Sequence, residues 1–114
     1  MLSYRERADA RRRKLDAAVA ELVDLCRGLA DVRAMYVFGS YGRGTVGPDS
    51  DLDVLVVRDT HLPRLARGDD ILLARRSLAP VDLIVLRPEE FAMLAERSGF
   101  GATILKEARK LYAA

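Results

Sequence analysis

Residues 51–57, Asp-Leu-Asp-Val-Leu-Val-Val, read as a mostly buried strand that opens with two carboxylates. Side chains alternate across a sheet, so Asp51 and Asp53 are expected on one face. Two carboxylates side by side repel. Burial raises their cost further unless a cation sits between them. A pair that begins a buried strand therefore asks for a metal more strongly than a pair on an open surface. Hard oxygen ligands favour Mg²⁺ or Mn²⁺ over zinc.

The flanking segments supply the rest of a sheet. Ser3 and Glu6 have the spacing of a capping box. Leu15, Ala18, Val19, Leu22, Val23, Cys26 and Leu29 then recur at three- and four-residue steps, the signature of one helical face. Gly28 is a natural stop. Residues 33–38 read as a strand, and 39–50 as a turn-rich loop with four glycines and one proline. Residues 59–80 form a long connection with a helix over Ile71–Leu78, ended by Pro80. Residues 81–86 read as a third strand. Pro88-Glu89-Glu90 makes a good first helical turn, with proline early and carboxylates at the positive end of the helix dipole. That helix runs to about Arg97. Gly99 and Gly101 break the chain, and a last helical turn or short strand covers Ile104–Tyr112.

The order is α-β-β-α-β-α. The long connection between the second and third strands allows a parallel crossover, whereas the shorter link between the first two suits antiparallel neighbours. The expected class is α/β, a small mixed sheet of about three to four strands with helices packed on it.

This arrangement gathers chemistry at one end of the sheet. Asp82 stands one residue into the third strand, as Asp51 and Asp53 stand at the start of theirs. Parallel neighbours would bring the three carboxylates together, a cluster suited to two cations in a phosphoryl displacement. Gly39 and Ser40 end the first strand and should lie beside Asp51 and Asp53. Glycine lets the backbone approach a ligand closely. Ser40 offers a hydroxyl and an N–H, and is expected to open a short helix whose N-terminus favours phosphate. Arg43 adds a fixed positive charge for a triphosphate tail. The loop is not a Walker P-loop, because no Gly-Lys-Ser/Thr is present. Asp59, Asp69 and Asp70 read as loop charges, Asp49 as a turn residue, and Glu89 and Glu90 as helix-start residues.

Bulk properties set the limits. The 114 residues fit a single domain, 1–114, with a net charge of +2. The lone Cys26 allows no internal disulfide and reads as core filler. His61 and one cysteine cannot anchor a zinc site. No apolar run reaches the ~20 residues that span a membrane, and the charged N-terminus lacks a signal-peptide core. The expectation is a cytoplasmic protein. Arg5, Arg7, Arg11, Arg12, Arg13 and Lys14 crowd the front of the first helix. They read first as a solvated face and second as a docking surface for an acidic partner or RNA. Without aromatic interleaving they are a weak sign of direct nucleic-acid binding.

Gly39-Ser40, ten residues, then Asp51-Leu52-Asp53 resembles the GS-x10-DxD signature of minimal nucleotidyltransferases, the MNT group of the polymerase-β-like superfamily. Tyr41-Gly42 departs from it, since many members carry Arg-Ala there. The resemblance implies the polymerase-β-like nucleotidyltransferase fold, with Asp51 and Asp53 binding two Mg²⁺ ions. Asp82 would complete the second site and help deprotonate the acceptor hydroxyl. Gly39 and Ser40 would hold the β- and γ-phosphates of ATP. It also implies an antitoxin that pairs with a HEPN-type toxin, forms an oligomer with it, and transfers AMP to one of its tyrosines. Two alternatives stand beside that reading. One is modification of a small hydroxylated molecule such as an aminoglycoside. The other is a non-catalytic antitoxin that works by binding alone.

Overall fold

The computed structural model describes residues 1–96 and 99–114. Helix α1 (Tyr4–Arg27) begins with the expected reciprocal cap: Ser3 Oγ accepts from the Glu6 N–H, and Glu6 Oε1 accepts from the Ser3 N–H, both at 3.1 Å. Its apolar stripe, Leu15, Ala18, Leu22 and Cys26, is fully buried. Strand β1 (Val32–Phe38) leads directly into the short helix α2 (Gly39–Arg43), then a loop to β2 (Leu52–Arg58). A 3-10 turn (Arg64–Ala66) and helix α3 (Asp69–Ala74) precede β3 (Val81–Leu86). Helices α4 (Pro88–Glu96) and α5 (Phe100–Glu107) and strand β4 (Arg109–Ala113) complete the order.

The four strands form one mixed sheet in the order β3-β2-β1-β4. β1 pairs antiparallel with β2, and β2 parallel with β3, as the connection lengths require. Strand β4 joins β1 antiparallel, so the last segment is both a helix and a strand. Alternation sorts the side chains. Met35, Val37, Leu52, Val54 and Val56 face the α1 stripe and make the main core with it. Burying such side chains contributes roughly 1.5–3 kcal/mol each before entropy is counted. The other face carries Tyr36, Leu55 and Val57, with Phe91 of α4 stacked on Tyr36 at 5.2 Å between ring centroids.

The helix expected over Ile71–Leu78 is shorter and ends at Ala74. The cause lies in α1, where Glu21 accepts hydrogen bonds from the Arg76 and Ser77 amides at 2.7 and 3.1 Å. Those amides would otherwise bond back along α3. The end of α4 near Arg97 lies outside the described residues. No described helix is long and apolar enough to cross a membrane.

Candidate active site

Register places the acidic residues. Asp53 is opposite Phe38 of β1 on one side and opposite Asp82 of β3 on the other. The antiparallel turn-back brings Gly39, the residue after Phe38, against Asp53. A Cβ at Gly39 would lie 2.2 Å from Asp53 Oδ2, and the backbone there has φ +64°. Glycine is required twice over, for the left-handed backbone and for the space the carboxylate fills. Ser40 follows in the first turn of α2, and its carbonyl accepts from the Thr45 N–H at 2.9 Å.

The electrostatics show strain in charge rather than in packing. The Asp53 carboxyl is pushed above its ordinary range, first by burial and then by the charges of Asp82 and Asp51. Its protonated form is further favoured by a hydrogen bond to Asp82, while Arg43 pulls in the other direction. Asp53 is half-buried, whereas Asp51 and Asp82 are exposed. Asp53 and Asp82 thus form the close pair, and Asp51, one residue before β2, acts on it through charge. Among the described residues, no three acidic, His or Cys side chains stand ready to grip one ion as they lie. The donor set is nevertheless all oxygen. Its like-charge repulsion, and the glycine hollow that admits the Asp53 carboxylate, suit a hard divalent cation.

Arg43 lies close enough to act on Asp53, but its guanidinium donates to Glu107 Oε2 at 3.1 Å. Tyr41, at the departure from the family pattern, turns away from the acidic pair. Its hydroxyl donates to Asp16 of α1, and Arg109 of β4 sits 5.6 Å from its ring centre. Gly42 is buried, and a Cβ there would come within 3.0 Å of the Val37 carbonyl and 3.2 Å of the Glu107 carbonyl. An alanine there would press on both β1 and α5.

Other acidic residues are used structurally. Asp49 sits in the Gly47–Ser50 turn, closed by Ser50 N–H to Gly47 O at 3.2 Å. Asp59 pairs with Arg33. Asp70 is more than a loop charge, since it takes both Nη groups of buried Arg58 at 2.7 Å. Glu90 accepts from the Arg87 N–H and from buried Arg67. Nothing in the sequence marks Arg58 and Arg67 for burial, because basic residues in and beside a polar connection look alike whether buried or exposed.

Residues 19–111 match the nucleotidyltransferase domain family. The chain belongs to this family, and the domain is that of a nucleotidyltransferase. No curated protein matches it. Among solved structures, it is similar to a nucleotidyltransferase candidate from Sulfolobus solfataricus (22% identity, 94% of this chain, 87% of that one, TM-score 0.66). It is also similar to a chain of a toxin–antitoxin complex with AMP-PNP (24% identity, 84% and 73% coverage, TM-score 0.60). A third is in a mutant MntA–HpeT toxin–antitoxin complex (22% identity, 84% and 73%, TM-score 0.59). These likenesses establish the nucleotidyltransferase fold.

Proposed function

We propose that this protein transfers AMP from ATP to a hydroxyl group of a partner protein, a tyrosine of a HEPN-type toxin, and thereby acts as its antitoxin. One observation carries the reading: Asp53 and Asp82 are register partners on parallel strands, with the Gly39 hollow against Asp53. The toxin–antitoxin complexes among the structural relatives, one with a nucleotide analogue, support the choice of donor and partner.

Each residue then has a task. Asp51, Asp53 and Asp82 would hold Mg²⁺, two ions in the full set. The ions supply charge neutralisation at the phosphates when bound. Gly39 lets the backbone approach the β- and γ-phosphates, and Ser40 offers its hydroxyl and N–H to them. Arg43, exposed and half committed to Glu107, adds positive charge at the triphosphate tail. The acceptor oxygen attacks the α-phosphorus in line. The new O–P bond forms as the bond to pyrophosphate breaks, and the acceptor proton passes to the Asp82 carboxylate. Positioning accounts for most of the acceleration such a site can give.

The test is transfer of label from α-³²P-ATP with Mg²⁺ to protein, using this chain co-expressed with its native partner. Label on the partner, lost in Asp53→Asn and with EDTA, and absent with γ-labelled ATP, is the expected result. Asp53→Asn should also abolish toxin neutralisation. Neutralisation that survives it would leave binding as the mechanism. Label on an added aminoglycoside, with none on protein, would move the acceptor to small molecules.

A further inference from the structure

The β3 edge of the sheet has a closed half and an open half. Strand β3 has β2 on one side only. The Pro80 carbonyl accepts from the Leu52 N–H at 2.9 Å, so the main-chain groups of Pro80, Asp82 and Ile84 turn inward toward β2. By strand alternation, those of Val81, Leu83, Val85 and Arg87 turn outward. The later outward groups are occupied. Arg67 donates to the Val85 carbonyl at 3.4 Å and to Glu90 Oε1 at 2.6 Å, and the Arg87 N–H donates to that same oxygen at 2.8 Å. Among the described residues, nothing comparable caps Val81 or Leu83.

An edge with open amide groups is a template for another strand. This one opens into a groove of about 400 Å³ lined by Leu65, Leu72, Ile84 and Leu94 among others. Leu65 is 95% exposed and Ile84 37%. The groove also reaches Leu55, two residues along from Asp53 on the same face of β2. Asp82 lies between the two open positions.

We propose that the acceptor enters as an extended peptide segment that adds to the β3 edge. Its backbone bonds to Val81 and Leu83, its alternate apolar side chains fill the groove, and its hydroxyl residue is carried to Asp82. The proposal rests on the transfer reading above and names how that reading's acceptor is held. A polyhydroxylated or polycationic small molecule has little use for an apolar wall and paired amide groups. A second copy added antiparallel about the same centre would set Asp82 against Asp82, and like charges directly opposed are unfavourable.

The test uses a synthetic peptide, acetyl-KTVTYTVK-amide, whose valines share the tyrosine's face, and two isomers N-methylated on one or the other alternate set of its amides. Amide exchange followed by NMR should slow at Val81 and Leu83, by about threefold at a peptide concentration about twice Kd. Asp82 and Ile84 should not change. One N-methyl isomer should lose this effect and the other keep it. Ile84→Lys should weaken the peptide about tenfold and leave AMP-PNP binding unaltered. No protection, or equal binding of both isomers, overturns the proposal. So does protection at Val81 and Leu83 that grows with protein concentration without peptide, which would assign the edge to a second copy. Labelling of the same peptide from α-³²P-ATP separates the two readings. Edge protection without labelling in the wild type refutes transfer alone, and labelling of the peptide without edge protection refutes strand addition alone.

Discussion

Gly39→Ala tests the geometry of the acidic site with a single methyl group. The new Cβ would stand 2.2 Å from Asp53 Oδ2 and 3.2 Å from its Cγ. Such contacts do not occur below 3.0 Å, so the carboxylate must retreat by about 1 Å, a displacement that can lower a rate about 10²-fold. The retreat is opposed on its far side by Asp82, whose charge already disfavours the ionised pair. The left-handed backbone adds about 1–2 kcal/mol of strain, against a stability of ~5–15 kcal/mol for a domain. The variant should therefore fold, with Tm lower by roughly 3–10 °C. Gly44→Ala separates the two effects. Gly44 has φ +77° and nothing within 4 Å of a built Cβ, so it shares the strain without the clash. The assays are thermal melting, Mg²⁺-dependent AMP-PNP binding by calorimetry, and label transfer from α-³²P-ATP. Both variants should melt lower, and only Gly39→Ala should lose transfer. If Gly39→Ala transfers within about threefold of Gly44→Ala, the hollow does not position Asp53 for chemistry and the reasoning fails.

Three further outcomes are expected. Asp70 is held below the usual carboxylate range, chiefly by its hydrogen bonds from Arg58. Its stabilisation is complete above the unfolded value near pH 4 and lost as pH falls through the lower folded value. Asp70→Asn should cost about 1 kcal/mol at pH 7, discounted for the half-exposed carboxylate, and flatten the denaturation profile below about pH 4. An unchanged acid limb would remove Asp70 from the account. The Cys26 thiol is pushed up to about 11 by burial, so a disulfide reagent at pH 8 should label it only after denaturation. Rapid labelling of native protein would contradict its place in the core. Arg43→Ala should cost under about 1 kcal/mol, since its pair with Glu107 is half-exposed, yet weaken AMP-PNP binding severalfold. Unaltered affinity would take Arg43 out of the nucleotide site.

What the sequence revealed and what it hid divide along a physical line. The strands, their directions and the meeting of Asp53, Asp82 and Gly39 follow from local facts: apolar runs, loop lengths and a side-chain period of two. Once β2 and β3 are parallel, register alone sets Asp53 opposite Asp82. The capping box at Ser3 and the apolar stripe of α1 were legible for the same reason. The length of α3 was not, because Glu21, 55 residues before Arg76, decides where it ends. Nor was the buried Arg58, whose partners Asp31 and Asp70 come from the turn before β1 and the first turn of α3. A charge in a polar stretch looks the same whether it meets water or a distant partner.

The same line runs through the candidate active site and explains its asymmetry. The half attributed to the nucleotide is built at the heads of adjacent strands, so each residue is fixed by its neighbours in sequence. The half attributed to the acceptor is bounded by α3, α4 and the edge of β3, which tertiary packing brings together. Arg67 illustrates the difference. It reaches from the turn before α3 to Val85 and Glu90, and closes the β3 edge two residues short of where Leu83 stays open. Had a neutral residue stood at position 67, the Val85 carbonyl would be open as well and the edge would offer a longer stretch to any strand. With Arg67 in place, only the stretch beside Asp82 is open. A buried guanidinium is costly unless its donors are met, and here they are met by the Leu62 and Val85 carbonyls and the Glu90 carboxylate. Arg67 therefore confines strand addition to the length of edge that leads to the carboxylates.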